Sequence, residues 1–201
     1  MSTAPRLVLA SASPRRRRLL AGLGVPFEAR ATDSDETPVA GESPRELVVR
    51  LALAKARAAA RPGEIALGAD TEVALDGRVL GKPADADDAR RMLQRLSGRA
   101  HDVWSGVALV AVANDGAPAG EWSDARLTRV RFRALGDAEI DAYVASGDPF
   151  DKAGAYAIQG GASGFVAGVD GDVDNVVGLP LALVRELLTA AGLEPGLSPR
   201  T

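Results

Sequence analysis

A chain of 201 residues with 46% hydrophobic and 25% charged side chains is ordinary globular material, long enough for one large domain or two closely packed lobes. The lack of cysteine excludes disulfides and thiolate metal sites, the single histidine, His101, excludes a histidine-rich zinc centre, and a net charge of −3 argues against nucleic acid as the partner. No apolar run approaches a membrane span and no signal-peptide pattern opens the chain, so a cytoplasmic location is expected, with any metal chemistry left to carboxylates and a hard cation such as Mg2+ or Mn2+.

The predicted elements begin with RLVLAS (6–11), an apolar run that leads through Ser13 and Pro14 into RRRRLLAGLG. A serine N-cap, a proline in the first turn and a glycine stop predict strand, tight turn and helix. Residues 43–63 repeat the Ser-Pro start, add Glu46 as the second half of a capping box and end at Pro62-Gly63, so a second helix is expected there. Residues 65–83 read as a buried strand running into an alternating pair of short strands joined by Asp76-Gly77, the dipeptide of a type I′ hairpin turn. DADDARRMLQRLSG (85–98) predicts a third helix, and HDVWSGVALVAV (101–112) with ARLTRVRFRAL (125–135) predicts a long antiparallel pair turning near Asn114-Asp115-Gly116. DAEIDAYVASG (137–147) predicts a short helix, residues 163–180 a strand, turn and strand, and LPLALVRELLTAAGL (179–193) a closing amphipathic helix, with a frayed end over 194–201. Strands alternating with helices at first, then antiparallel pairing, predict an α/β protein: one domain over 1–201 with a mixed twisted sheet, flanking helices and two lobes around a central cleft.

Two of the helices carry a cation on the wrong side. On a wheel of the first, Leu19, Leu20 and Leu23 mark the apolar stripe and Arg16 falls within it, Arg15 at its margin, and Arg17 and Arg18 on the solvent side. On the second, Leu47, Val48 and Leu51 mark the stripe, and Lys55 stands four residues beyond Leu51 on the same face. A charge turned inward needs a partner, and for Arg16 either an internal ion pair with Asp70 or Glu36 or an anionic ligand would serve. The Ser13-Pro14 helix start leaves backbone N–H groups free, and with arginine forks these suit a phosphate. Asp70, placed at the carboxyl end of a buried strand, and one acid of the TDSDE loop (32–36) add carboxylates to the same cleft, a combination that fits a magnesium triphosphate. The stripe of Arg129, Arg131 and Arg133 reads as the wet face of a sheet, with the rim of a homodimer as one expected setting, and lacks the interleaved aromatics of a nucleic-acid surface. His101, Trp104 and Trp122 read as surface or satisfied core.

LASASPRRRRLL, LALAKARA, LGADTEVALDGRVLGKP, MLQRLSGRAHDV, DPFDKAGAYAIQG and VVGLPLALVRELL stand in the order and spacing of the Maf-like nucleotide pyrophosphatases, house-cleaning hydrolases first linked to septum formation, and the resemblance runs from about residue 6 to 190. It implies hydrolysis of a nucleoside triphosphate between the α and β phosphates with help from a divalent cation. It implies Asp70 as general base, Glu36 and Asp70 as metal-holding acids, and Ser13, Arg15, Arg16, Lys55, Lys82 and Lys152 as the residues that hold substrate. ADT (69–71) and KAGAYAIQG (152–160) resemble the branch acting on dTTP and UTP, with modified pyrimidine nucleotides as further candidates, and make Arg15, Thr71 and Gln159 the expected specificity residues. Ala157, where such proteins usually carry glycine, is the one departure. The competing expectation is a nucleotide-sensing or nucleic-acid-binding regulator of septum formation without catalysis.

Overall fold

The structure, a computed structural model, describes residues 5–193; the frayed end expected over 194–201 lies outside them. Seven strands form one sheet in the order β2-β1-β3-β5-β6-β7, with β4 paired to β3. They are β1 (Arg6–Leu9), β2 (Phe27–Ala29), β3 (Glu64–Leu75), β4 (Arg78–Val79), β5 (Ala100–Val112), β6 (Pro118–Phe132) and β7 (Val166–Asp170), and the helices are α1 (Pro14–Ala21), α2 (Pro44–Ala59), α3 (Ala86–Leu96), α4 (Asp137–Ala145), α5 (Val173–Val177) and α6 (Leu181–Ala190). β1 runs parallel to β2 and β3, whereas β3, β5, β6 and β7 pair antiparallel, which gives the mixed α/β sheet that the pattern predicts.

Local signals behave as expected at the helix starts. Ser13 caps α1 by accepting from the Arg16 N–H, and Ser43 and Glu46 form both halves of the capping box on α2. Asp76 and Gly77, with φ of 52° and 75°, make the left-handed turn from β3 to β4. Two expectations fail. The short pair joined by Asp76-Gly77 forms, but its first strand is not separate: 64–75 is one twelve-residue strand, because β5 pairs with it continuously as far as Ala74. Residues 173–177 form α5, not a strand: the β-branched run Val173, Val176 and Val177 suggested one, but fully buried Asn175 donates its side-chain amide to the Val103 carbonyl and the Thr128 hydroxyl and pins a helical turn to the sheet.

One apolar cluster joins β1, α1 and α6 to the sheet, and another joins α3, α4 and Phe165 to the far ends of β3, β5 and β6. α2 crosses the opposite face so closely that a Cβ on Gly68 would lie 2.0 Å from the Ala52 carbonyl oxygen and one on Gly106 would lie 2.2 Å from that of Val48. That close approach sets the depth at which Lys55 reaches the sheet.

The cleft follows from strand pairing. β1 pairs with β3 from Arg6 and Glu64 only as far as Leu9 and Leu67, and β4 meets β3 only at Ala74 and Leu75. Between these points β3 keeps its β5 neighbour while its other edge has no strand among the described residues, and this gap opens between the two apolar clusters.

Candidate active site

A cavity of about 640 Å³ occupies the gap, floored by Asp70, Thr71 and Glu72 of β3, walled on one side by Ser13, Arg15 and Arg16, and on the other by the segment from Lys152 to Gln159. Asp70 lies in the middle of β3, not at its carboxyl end; the end that counts is that of β1, which stops three residues short of it in register.

Lys55 is 8% exposed and Asp70 6%, and the inward cation predicted on α2 lies between two acids. Its Nζ is 2.6 Å from Asp70 Oδ1 and 2.6 Å from Glu36 Oε1. Lys82, exposed on the far side of Glu36, has its Nζ 3.7 Å from Glu36 Oε2. Lys55 holds the Glu36 carboxyl below its ordinary range, against the opposing pull of burial. The second oxygen of Asp70, Oδ2, is buried and has no partner among the described residues.

Arg16 does not take the ion pair with Asp70 or Glu36 that its position left open. Its Nε donates to the Gly178 carbonyl at 2.9 Å and its Nη2 to the Thr71 hydroxyl at 3.2 Å. Burial pulls its pKa down, with Asp70 and then Glu36 opposing. Behind Thr71, its Oγ1 is 2.8 Å from the Ser105 Oγ, and the Ser105 hydroxyl donates to the Asn175 carbonyl at 2.9 Å. Arg15 lines the cavity with no hydrogen bond or ion pair among the described residues. Arg17 and Arg18 are exposed as the wheel predicts, although Arg18 also borders the cavity.

Lys152 lines the opposite wall, but its amine donates to the Asp148 carbonyl at 2.5 Å and to the Asp151 carboxylate, so it orders its own loop in this state. Gln159 and Ala157 border the cavity, Gln159 from an exposed turn. His101 is core but only half satisfied: its Nε2 lies 2.8 Å from the Tyr156 hydroxyl and its ring packs edge-on against Phe132, its Nδ1 is buried without a partner among the described residues, and burial pushes its pKa down to about 4. The arginine stripe along the end of β6 and the residue that follows it is a paired solvent face at two of its three positions, Arg129 with Asp102 and Arg133 with Glu139.

Glu72, Ser105 and Asn175 escaped the sequence reading. Glu72 shares a β3 face with Asp70, two residues apart, and burial followed by the charge of Asp70 pushes its carboxyl up to about 7. A second acid on that face was the available signal. A serine at an inward position between Val103 and Val107 was the signal for Ser105.

These are the acids and cations of a site for a charged ligand, gathered by elements far apart in sequence. The family described as Maf-like protein matches residues 6–191. The chain belongs to the Maf-like family. This Maf-like chain is 57% identical over 190 residues to an Anaeromyxobacter dehalogenans protein named dTTP/UTP pyrophosphatase, covering 94% of this chain and 95% of the other. A Sphingopyxis alaskensis protein of the same name is 55% identical over 194 residues, covering 96% and 100%. In fold alone the Maf-like chain also resembles the solved Staphylococcus aureus Ham1 protein, with a TM-score of 0.50 at 15% identity over 92% and 99% of the two chains. Among the described residues no helix is long and apolar enough to cross a membrane.

A divalent cation can be tested against the donors present. Among the described residues no three His, Cys, Asp or Glu side chains stand together in metal-binding geometry. Mg2+, however, is commonly held by one or two carboxylates with phosphate oxygens and waters completing the shell. Glu36 and the unpartnered Oδ2 of Asp70 supply such a pair of hard oxygen donors on one cavity, so the residues fit.

Proposed function

We propose that this chain is a cytoplasmic nucleoside triphosphate pyrophosphatase that hydrolyses dTTP and UTP to the monophosphate and pyrophosphate. The observation that carries the reading is Asp70: it lines a cavity rich in cations, one oxygen held by Lys55 and the other buried without a partner among the described residues. Relatives more than half identical over nearly the whole chain, named for that activity, support it.

In this reading Asp70 Oδ2 accepts the proton of a water as its oxygen attacks the α-phosphorus in line with the departing pyrophosphate. Lys55, donating to Asp70 Oδ1, fixes the orientation of that carboxylate. Arg16, with two of its five N–H groups spent on Gly178 and Thr71, has three left for phosphate oxygens. Ser13, Arg15, Lys82 and Lys152 complete the hold on the triphosphate, Lys152 by exchanging Asp151 for phosphate. Glu36 and Asp70 would hold Mg2+ or Mn2+, which when bound supplies charge neutralisation to the leaving group. Arg15, Thr71 and Gln159 border the base-side choice, where a glutamine amide can donate and accept at a pyrimidine edge.

A screen of canonical and modified nucleoside triphosphates, with Mg2+, Mn2+ or EDTA and a pyrophosphate readout, tests reaction, substrate and cation together. Pyrophosphate and monophosphate are expected from dTTP and UTP with either cation and none in EDTA. A nucleotide sensor releases none under any condition.

A further inference from the structure

The two shorter neutral hydrogen bonds behind Arg16, at 2.8 and 2.9 Å, are filled together by one arrangement of protons. Ser105 is fully buried on β5, its Oγ 2.9 Å from the Asn175 carbonyl oxygen and 2.8 Å from Thr71 Oγ1. A carbonyl oxygen has no proton to give, so the proton in the first contact belongs to Ser105. Ser105 has only that one, so the proton between the two hydroxyls belongs to Thr71. Thr71 then has none for the Gly178 carbonyl, 3.4 Å away, which receives Arg16 Nε–H at 2.9 Å. Toward Arg16 the Thr71 oxygen presents lone pairs, and it accepts Nη2–H at 3.2 Å.

Both ends of this line are fixed. Asn175 is fully buried and donates its side-chain amide to the Val103 carbonyl and Thr128 Oγ1, both at 3.0 Å. Gly178 ends α5 with φ of 125°, a conformation that favours glycine, and its carbonyl faces the guanidinium.

We propose that Ser105 is a positioning residue: by claiming the Thr71 proton it makes Thr71 an obligate acceptor for Arg16 and so holds the guanidinium in aim at the bound nucleotide. The inference rests on the reading of the cavity as a nucleoside triphosphate site. It gives Thr71 a definite polarity as well. A threonine in this state has no proton to offer a base, so any discrimination it exerts passes through Arg16.

The test is a mutant cycle with two readouts, pyrophosphate release from dTTP under Mg2+ and calorimetric binding of dTTP in EDTA. Ser105→Ala frees the Thr71 proton to turn toward Gly178 and compete with Arg16, so KM and Kd rise about tenfold, the usual cost of loosening one hydrogen bond to a charged group, while kcat stays within about twofold. Ser105→Thr keeps a hydroxyl on the strand and restores the wild-type KM. In a Thr71→Val background, Ser105→Ala has no further effect, because its influence passes through the hydroxyl already removed. Unchanged KM and Kd in Ser105→Ala, an undiminished effect in the Thr71→Val background, or a Ser105→Thr variant as impaired as Ser105→Ala would each overturn the proposal. Should Ser105→Ala not fold, Ser105→Cys, of nearly the same volume with a weak donor, takes its place in the cycle. A wild-type chain that binds dTTP but releases no pyrophosphate refutes the enzymatic reading and leaves the binding arm of the cycle in force.

Discussion

On the α2 face of β3, Asp70 meets Lys55 and through it Glu36, an acid, a base and an acid joined by two 2.6 Å contacts. On the opposite face, one residue further along, Thr71 meets Ser105 and Arg16, and Arg16 meets the Gly178 carbonyl, through hydrogen bonds in which only Arg16 is charged. The first arrangement depends on charge, which acts at a distance and tolerates small shifts, but leaves a buried ion when a partner is lost. The second depends on which atom carries which proton, and it fails through misorientation. One strand thus supplies the cavity with a reacting group from one side and an aimed cation from the other. The two faces respond to different interventions.

The largest effect separating them is expected at Asp70. Asp70→Asn keeps the shape, and Lys55 retains Glu36 as a partner, so folding and dTTP affinity should stay near wild type while turnover falls about 10²–10⁴-fold, the usual worth of acid–base help. Pyrophosphate release set beside calorimetric binding separates these quantities, and normal turnover in this variant would remove Asp70 from the chemistry. Lys55→Met comes next. It leaves two carboxylates facing each other without their shared cation, one of them almost wholly buried, and should cost about 3 kcal/mol in urea unfolding at pH 7. A loss as small as that of an exposed ion pair, under about 1 kcal/mol, would mean that the charged face contributes little to the fold.

The contrast also explains what could be read from the residues alone. Charges on an apolar stripe are conspicuous, so Arg16 and Lys55 were legible from helix periodicity, and the capped helix starts and the Asp76-Gly77 turn from local chemistry. The partners were less so. Arg16 meets a hydroxyl and a carbonyl in place of an acid because α5 brings Gly178 to it beside Thr71 of β3, and the residues of α5 read as a strand. Ser105 and Asn175 are small neutral residues inside apolar runs, and nothing local says that their protons will be counted against a threonine thirty-four residues away from Ser105. The gap in the sheet, which makes the cavity, depends on where β1 and β4 stop pairing with β3 and is set by tertiary contacts.

Glu72 gives the smallest effect and the sharpest separation of the faces, because its cost can be switched by pH. It lies on the Asp70 face, where burial and the charges of Asp70 and Glu36 raise its pKa and Lys82 and Lys55 oppose, with the result about 7 against an ordinary 4.5. A raised acid binds its proton more tightly in the folded chain than in the unfolded one, so Glu72 lowers stability progressively as pH rises from about 4.5 through 7. His101 slopes the other way: with its pKa lowered from 6.5 to about 4, it destabilises the folded chain in acid and ceases to do so as pH rises through that window. In the wild type the two slopes oppose each other across most of the acid range. Glu72→Gln removes one of them, so urea unfolding should show little change near pH 4.5 and a gain of about 1–3 kcal/mol at pH 8, with stability now climbing between about pH 4 and 6.5 as His101 loses its proton. A gain of equal size at every pH would assign the effect to packing of the amide, and the acidic crowding of the Asp70 face would then lose its claim to a cost that the Thr71 face does not share.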